Sequence, residues 1–461
     1  MVKDLPPSIE STAGLASRLG LFDATMIVMG GIVGSSIFMN PYVVARQVHT
    51  PFLILAVWVM GGMIALLGAF VYAELAARRP RVGGQYAYIR EAYHPVVAFI
   101  YGWGLLLVTQ TGGMAAVAIT FARYFVELTH IPLADGLIAT LALAGLTVIN
   151  CFGVKAGSTT QSVLMGLKIV AIAALVACGL LLTGKSGAMA PLALAGPLLD
   201  RPVSLDLLSA VGAAMVPVLF AYGGWQTACF IAEEVREPRK NLPRGLFIGV
   251  GGVIVLYLAV NFVCVRVLGP SGLAITTAPA SAVMMAALGN LGGRLIAAGI
   301  AISTLGFLSQ GILTAPRVYF AMAEDGLFFR SVAWLHPRTR VPVVAIALQG
   351  VCAILIALSG RYEQILNYVV SADWVFFGLS ASCVFVLRRR DGETQVSRVS
   401  KYNIPGHPVT TALFVAVCVF IVINTVYKYP GNSAIALGIM MAGLPVYFFW
   451  RWRTRGRANQ Q

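Results

Sequence analysis

Two short stretches decide how this chain is read: Gly30-Gly31-Ile32-Val33-Gly34-Ser35-Ser36 and Phe220-Ala221-Tyr222-Gly223-Gly224-Trp225. Each lies in the middle of a long apolar run, where a helix would otherwise continue. Three glycines and two serines in seven residues are poor helix formers. Pro217 stands just before the second stretch. Both are expected to interrupt a helix at mid-depth of an apolar segment.

Working outward, apolar runs recur along the whole chain. Of 461 residues 58% are hydrophobic and 11% charged, against about 25% charged in soluble domains. A water-facing surface of normal polarity cannot be built from this composition. That excludes an ordinary soluble enzyme, a disordered chain and a disulfide scaffold, and leaves an all-α polytopic membrane protein. Spans are expected at 22–45, 53–77, 95–127, 135–153, 160–183, 207–234, 245–268, 293–322, 342–358, 365–387, 409–427 and 433–452. Segment 270–290 is too polar and Pro-punctuated to span and reads as a short outer re-entrant or surface helix. With the N-terminus inside, the inner segments collect 24 of the 33 Lys and Arg, the outer segments eight, and Lys168 is left within a span. Such a bias supports twelve spans with both termini inside. The net charge of +15 is thus a topology signal and not a nucleic-acid stripe. None of the seven cysteines forms a CxxC pair, and they are expected to be buried free thiols. The five histidines fall in or near loops, so neither a metal site nor a cofactor is expected. The first twenty residues lack the apolar core of a signal peptide.

Paired, glycine-interrupted segments at matching places in two halves are a sequence pointer to a transporter binding site. Spans 1–5 and 6–10 would form the halves, and because five is odd their topologies are opposite. An unwound stretch exposes backbone groups that a helix keeps for itself. Half-helix N-terminal ends suit a carboxylate, exposed carbonyls suit an ammonium, and a zwitterionic amino acid presents both. Close helix packing of the GxxxG kind is the alternative for either stretch alone. No alternating strand–helix pattern surrounds the glycines, so they are not a dinucleotide loop.

At these residues the chain resembles the amino acid–polyamine–organocation superfamily, and within it the L-type amino acid transporter-like branch. The resemblance covers essentially the whole chain. It is carried by GIVGSSIF in the first span, YAELAARRPRVGGQYAYIREAY (72–93), FAYGGWQTACFIAEEVREPRKNLPRGL (220–246) and RVYFAMAEDGLFF (317–329). It implies a LeuT-like 5+5 inverted repeat with broken helices 1 and 6 and alternating access. By the same resemblance Gly34, Ser35 and Ser36 would hold the substrate carboxylate. Carbonyls of Ile32 and Val33, with Phe220, Ala221 and Gly223, would hold the ammonium. Phe220 would also be the outer aromatic gate, and Gln226 would lie near the substrate side chain. Ser36 stands where many relatives have Gly, which would narrow the site.

An ionisable group inside a membrane costs roughly 2.5–3.5 kcal/mol on the insertion scale and is functional by default. Lys168 lies about eight residues, roughly 12 Å, into the fifth span. The resemblance implies that it replaces the Na⁺ of sodium-coupled relatives and ties helices 1 and 8 to helix 5. Asp373, about eight residues into the tenth span, is expected to hydrogen-bond Gln226 near the substrate side chain or to take up a proton. Asp23, Glu74, Glu233 and Glu234, near inner helix ends, are expected in inner-gate ion pairs.

The function expected is a secondary transporter of small or medium neutral amino acids, working without Na⁺ as an exchanger or facilitator in the cytoplasmic (inner) membrane. The rivals are a cationic amino acid or polyamine antiporter, for which Asp373 is the one argument, and a proton-coupled symporter. No HExxH, no GxGD and no acid pair at helical spacing within a span suggests an enzyme. No long loop suggests a sensor domain. The expected partners are an amino acid and the lipid bilayer. Heavy-chain-dependent relatives carry a cysteine in the outer loop between spans 3 and 4; the loop around 129–135 has none, so no disulfide-linked heavy chain is expected. The organisation expected is an inner tail (1–20), a first repeat (21–183), an outer loop (184–206), a second repeat (207–388), an inner loop (389–408), two further spans (409–452) and an inner tail (453–461).

Overall fold

The computed structural model describes residues 15–183, 198–359, 362–399, 402–428 and 430–458. The expected tail up to residue 14, residues 184–197 of the expected outer loop, and residues 459–461 lie outside them. Helices account for nearly everything described, in the order α1 Leu21–Ile32, α2 Ser36–Ala45, α3 Pro51–Arg78, α4 Gln85–Ala92, α5 Pro95–Gly104, α6 Gln110–Thr129, α7 Asp135–Cys151, α8 Val154–Leu181, α9 Leu205–Ala221, α10 Pro238–Ile275, α11 Pro279–Leu288, α12 Asn290–Thr314, α13 Pro316–Glu324, α14 Val343–Leu358, α15 Tyr362–Val399, α16 Val409–Lys428, α17 Pro430–Met441 and α18 Gly443–Ala458. A π-helical turn, Leu105–Thr109, joins α5 to α6, and a 3₁₀ segment, Trp225–Glu234, follows α9.

Each of the twelve expected spans coincides with a helix or a pair of helices. Eight stretches among the described residues are long and apolar enough to cross a membrane, and α1 with α2, bent by 44°, makes a ninth. The chain is an all-α polytopic membrane protein. Segment 270–290, expected as a short re-entrant or surface helix, contains the ten-residue α11. α10 carries on to Ile275 through a kink at Gly269 (φ 67°), and α11 packs against α2, α8, α10 and α12. Its Pro279, Ala280, Val283 and Met284 are buried. Small and apolar residues on one side of this short helix give it a packed position despite its polar flanks.

Local chemistry sets the helix starts. Thr50 Oγ1 accepts the Leu53 N–H at 3.2 Å and donates to the Leu198 carbonyl at 2.9 Å, capping α3 and tying it to the chain before α9. Ser204 caps α9 through the Leu207 N–H. The Gly20 N–H donates to Asp23 Oδ2 at 2.9 Å, placing an acid at the first turn of α1, where the helix dipole favours it. All seven cysteines are free; Cys229, Cys264, Cys383 and Cys418 are buried, and Cys151, Cys178 and Cys352 are only half-buried.

One face of the bundle carries the inner segments of the charge count and is called here the basic face. It is sealed by ion pairs and backbone bonds. The Arg18 and Leu19 N–H groups both donate to the Glu234 carbonyl at 2.9 Å, and Arg236 N–H returns to Leu19 at 2.8 Å.

Candidate functional site

The two interruptions meet. α1 stops at Ile32, Val33 is extended (φ −75°, ψ 97°), and α2 restarts at Ser36. α9 stops at Ala221, and Gly224 adopts φ 106° before the 3₁₀ segment. Gly31 and Gly224 touch backbone to backbone. A Cβ on Gly224 would stand 2.0 Å from the Gly31 carbonyl oxygen, and one on Gly31 2.7 Å from that of Gly224. Neither position accepts a side chain, which is the physical reason for glycine at both.

A cavity of about 150 Å³ lies beside this junction. Gly31, Ile32, Gly34, Ser35, Ser36, Phe220, Gly223 and Gln226 line it, together with Thr109, Gln110, Phe307, Gln310, Asp373, Trp374 and Phe377. Ser35 and Ser36 place the N-terminal end of α2 at the cavity, where free N–H groups and the helix dipole favour an anion. Phe220 is 44% exposed while Trp225, Gln226, Thr227 and Gln310 are at most 7% exposed. The lining continues along α6 as far as Val117, towards the end of that helix far from the basic face. The floor is braced by Gln310 Nε2, which donates to Thr227 Oγ1 at 2.5 Å, while that hydroxyl donates to the Gly224 carbonyl at 2.7 Å.

Several expected carbonyls are already engaged. Tyr257 on α10 reaches both breaks, its hydroxyl standing 3.0 Å from the Ile32 carbonyl and 3.2 Å from that of Ala221. Lys168 is wholly buried on α8, and its Nζ donates to the Val33 carbonyl at 2.5 Å. Gly306 of α12 lies directly against its Cε, where a Cβ would come within 2.4 Å. Ser303 on α12 donates to the Gly34 carbonyl at 3.1 Å. Val33 and Ala221 do not line the cavity: their carbonyls turn to Lys168 and Tyr257 and away from a ligand. The expected bond between Asp373 and Gln226 is also missing. Both line the cavity, but Gln226 Oε1 accepts the Gly224 N–H at 3.1 Å. Tyr257, Gln310, Thr227, Ser303 and Gln110 were not anticipated from the sequence. Their signal was present as isolated polar residues within apolar runs.

Of the four acids expected in inner-gate ion pairs, Asp23, Glu74 and Glu234 are ion-paired, whereas Glu233 departs: among the described residues it meets a backbone N–H and no cation. Asp23 meets Lys155 at 3.0 Å and Ser158 at 2.6 Å. Glu74 binds Arg78 at 2.6 Å, Arg388 at 2.5 Å and the Ile404 N–H at 2.7 Å. Glu234 and Arg317 form a fully buried, bidentate pair at 2.7 and 2.9 Å. Glu233 accepts the Val82 N–H at 3.0 Å. Nearby, burial holds the Asp325 carboxyl above the usual range, although Tyr86 and Arg90 pull it down. On the opposite face partial burial works against ionisation of Asp200, but hydrogen bonds from Arg201 and His49 outweigh it and lower its pKa.

The cavity is built on two touching helix breaks, with a helix N-terminus that suits an anion. The sequence profile described as amino acid permease matches residues 19–450. The chain belongs to the amino acid permease family. It is 30% identical to the serine/threonine exchanger SteT of Bacillus subtilis (strain 168), over 94% of this chain and 97% of that one. It is 28% identical to the mouse large neutral amino acids transporter small subunit 2, over 98% of this chain and 86% of the relative. The mouse Asc-type amino acid transporter 1 is 27% identical over 95% of this chain and 82% of the relative. This permease is thus a membrane transporter of amino acids and not an enzyme.

Proposed function

We propose that this permease exchanges small or medium neutral amino acids across the plasma membrane, independently of Na⁺, with both termini in the cytoplasm. The observation that carries the reading is the cavity at the two touching breaks. Substrate would lie with its carboxylate at Gly34, Ser35 and Ser36 and its ammonium near the carbonyls of Gly223, Phe220 and Ile32. The α1 C-terminal end, negative by its dipole, supports the second half of that placement. Phe220, at the open side, would cover the ligand. Alternating access would move the repeat 21–183 against 207–388, breaking the bonds among Asp23, Glu74, Glu233, Glu234 and their partners on the basic face.

Sodium independence is supported by the contact between Lys168 and the Val33 carbonyl: a fixed ammonium joins α8 to the break in α1, where a mobile cation would otherwise be needed. The relatives are named for large neutral amino acids and for serine and threonine, which supports neutral substrates over the cationic and polyamine alternatives. The cysteine-free segment 129–135 supports a chain without a disulfide-linked second subunit. The charge bias supports the cytoplasmic placement of the basic face.

The test is uptake of labelled alanine into proteoliposomes preloaded with a neutral amino acid, in Na⁺ or in choline buffer. Acceleration by internal amino acid, equal in the two buffers, is expected. A strong Na⁺ requirement, or uptake indifferent to internal amino acid, would contradict the proposal.

A further inference from the structure

The third span is not a regular helix. Between α5 and α6 the turn Leu105–Thr109 is π-helical, and the Gln110 N–H bonds the Leu105 carbonyl, five residues back. In a regular α-helix that N–H would meet the Leu106 carbonyl. Leu106 thereby loses its ordinary donor, and a buried carbonyl has to find another. Thr111 supplies it: its Oγ1 donates to the Leu106 carbonyl at 2.5 Å, again five residues back. A threonine within a helix ordinarily bonds a carbonyl three or four residues back, as Thr120 and Thr129 do further along α6. Within α6 the longer reach occurs at the wide turn. Thr111 is wholly buried and does not line the cavity.

The wide turn decides which residues of α6 face the cavity. At about 100° per residue, Gln110, Gly113 and Val117 would stand about 140°, 80° and 120° around a regular helix from Leu105. One residue taken up in a wide turn sets the rest of the helix back by about 100°. The three then lie within about 40° of Leu105, and all four line the cavity. Thr109, inside the turn, lines it as well; its hydroxyl is buried and has no partner among the described residues. Gln110 Nε2 lies against Gly311 of α12, where a Cβ would come within 2.5 Å of it. Resting on the reading of this cavity as the amino acid site, we propose that Thr111 is a positioning residue for substrate: its hydroxyl holds the wide turn open and so keeps Gln110, Gly113 and Val117 turned to the ligand. Thr111 stands outside the cavity and acts through the backbone of Leu106.

Helical phase tests this directly. Ala116 is buried and absent from the lining, yet in a regular helix it would stand about 20° from Leu105 and face the cavity more squarely than Gly113. Gly113→Cys and Ala116→Cys are made separately in otherwise unchanged permease, and maleimide modification of each is timed by peptide mass spectrometry. With the wide turn in place the thiol at residue 113 should react at least about tenfold faster than that at residue 116, since modification follows exposure. A ratio near one, or faster reaction at residue 116, overturns the proposal whatever becomes of any variant at residue 111. Adding Thr111→Val, which keeps the shape and removes the hydroxyl, should bring the ratio down to about threefold or less. Thr111→Ser, which keeps the hydroxyl, should leave it unchanged. In exchange of labelled alanine Thr111→Val should raise the half-saturating concentration at least about fivefold and keep the rate at saturation within about threefold, as for lost binding. An unchanged value of the ratio or of the half-saturating concentration in Thr111→Val overturns the proposal. If Thr111→Val does not fold, Thr111→Ser decides, and a changed ratio there overturns it. The ratio is read without transport, so its failure alongside intact alanine exchange leaves the permease reading standing. Absence of amino acid exchange by the wild type overturns the reading of the cavity, and this proposal with it.

Discussion

Gly224 concentrates the geometry of the site into one residue. Its φ of 106° is a conformation that L side chains rarely adopt, and its α-carbon faces the Gly31 carbonyl. The expected result for Gly224→Ala is loss of folded permease, read as loss of the monodisperse peak in detergent and of uptake. Strain of about 1–3 kcal/mol for the dihedral comes on top of a clash with backbone that cannot rotate away. Gly251, in α10, is the control, for nothing lies within 4 Å of a Cβ there. Gly251→Ala should fold normally and gain up to about 1 kcal/mol of helix propensity. Similar behaviour of the two variants would contradict the account of the junction. Lys168 and Tyr257 act on the same small region by a different route, each binding backbone carbonyls that the breaks leave free.

Among the elements, the helices and their breaks were legible because apolar periodicity and glycine clustering are local signals. Residues 30–36 and 220–225 therefore announced themselves. What was not legible is pairing across distance. Glu234 and its loop were expected at the inner gate, but its partner Arg317 is 83 residues away and fixed only by packing. In the same way nothing local said that the Val33 carbonyl would turn to Lys168, or that Gln226 would cap Gly224 and leave Asp373 alone. For α11 the polar, Pro-marked flanks left a re-entrant and a surface helix both open, and its four buried small and apolar residues show it packed. The buried pair joining the 3₁₀ segment to α13 carries a stability prediction. Arg317→Met leaves Glu234 charged and alone in the interior, with an expected cost of about 3–5 kcal/mol. The thermal midpoint in detergent should fall clearly, and adding Glu234→Gln should recover most of it. An unchanged midpoint in the single variant would contradict the pairing.

At the scale of the whole molecule the packing is asymmetric. The basic face is closed by the Leu19–Val235 bridge, the Glu234–Arg317 pair and the Glu74 network. The cavity at the two breaks is lined by a half-exposed Phe220. Under the proposed exchange, a cycle would have to undo these basic-face contacts to release substrate on that side. The scarcity of charge that defines the composition thus has two roles. Most basic residues lie in the segments between the apolar helices, and a few ionisable groups lie inside the bundle, at Lys168, Asp373 and the basic-face pairs.

The central claim is that the cavity at the touching breaks is where the amino acid binds. Gly113 lines that cavity with open space around its Cβ, so Gly113→Cys places a thiol there without a clash. The measurement is its rate of modification by a membrane-impermeant maleimide in oriented vesicles, read at residue 113 by peptide mass spectrometry so that native cysteines do not interfere. The account predicts labelling from the face opposite the basic loops and severalfold slowing by a transported neutral amino acid. Labelling that a saturating, transported amino acid leaves unchanged would contradict it.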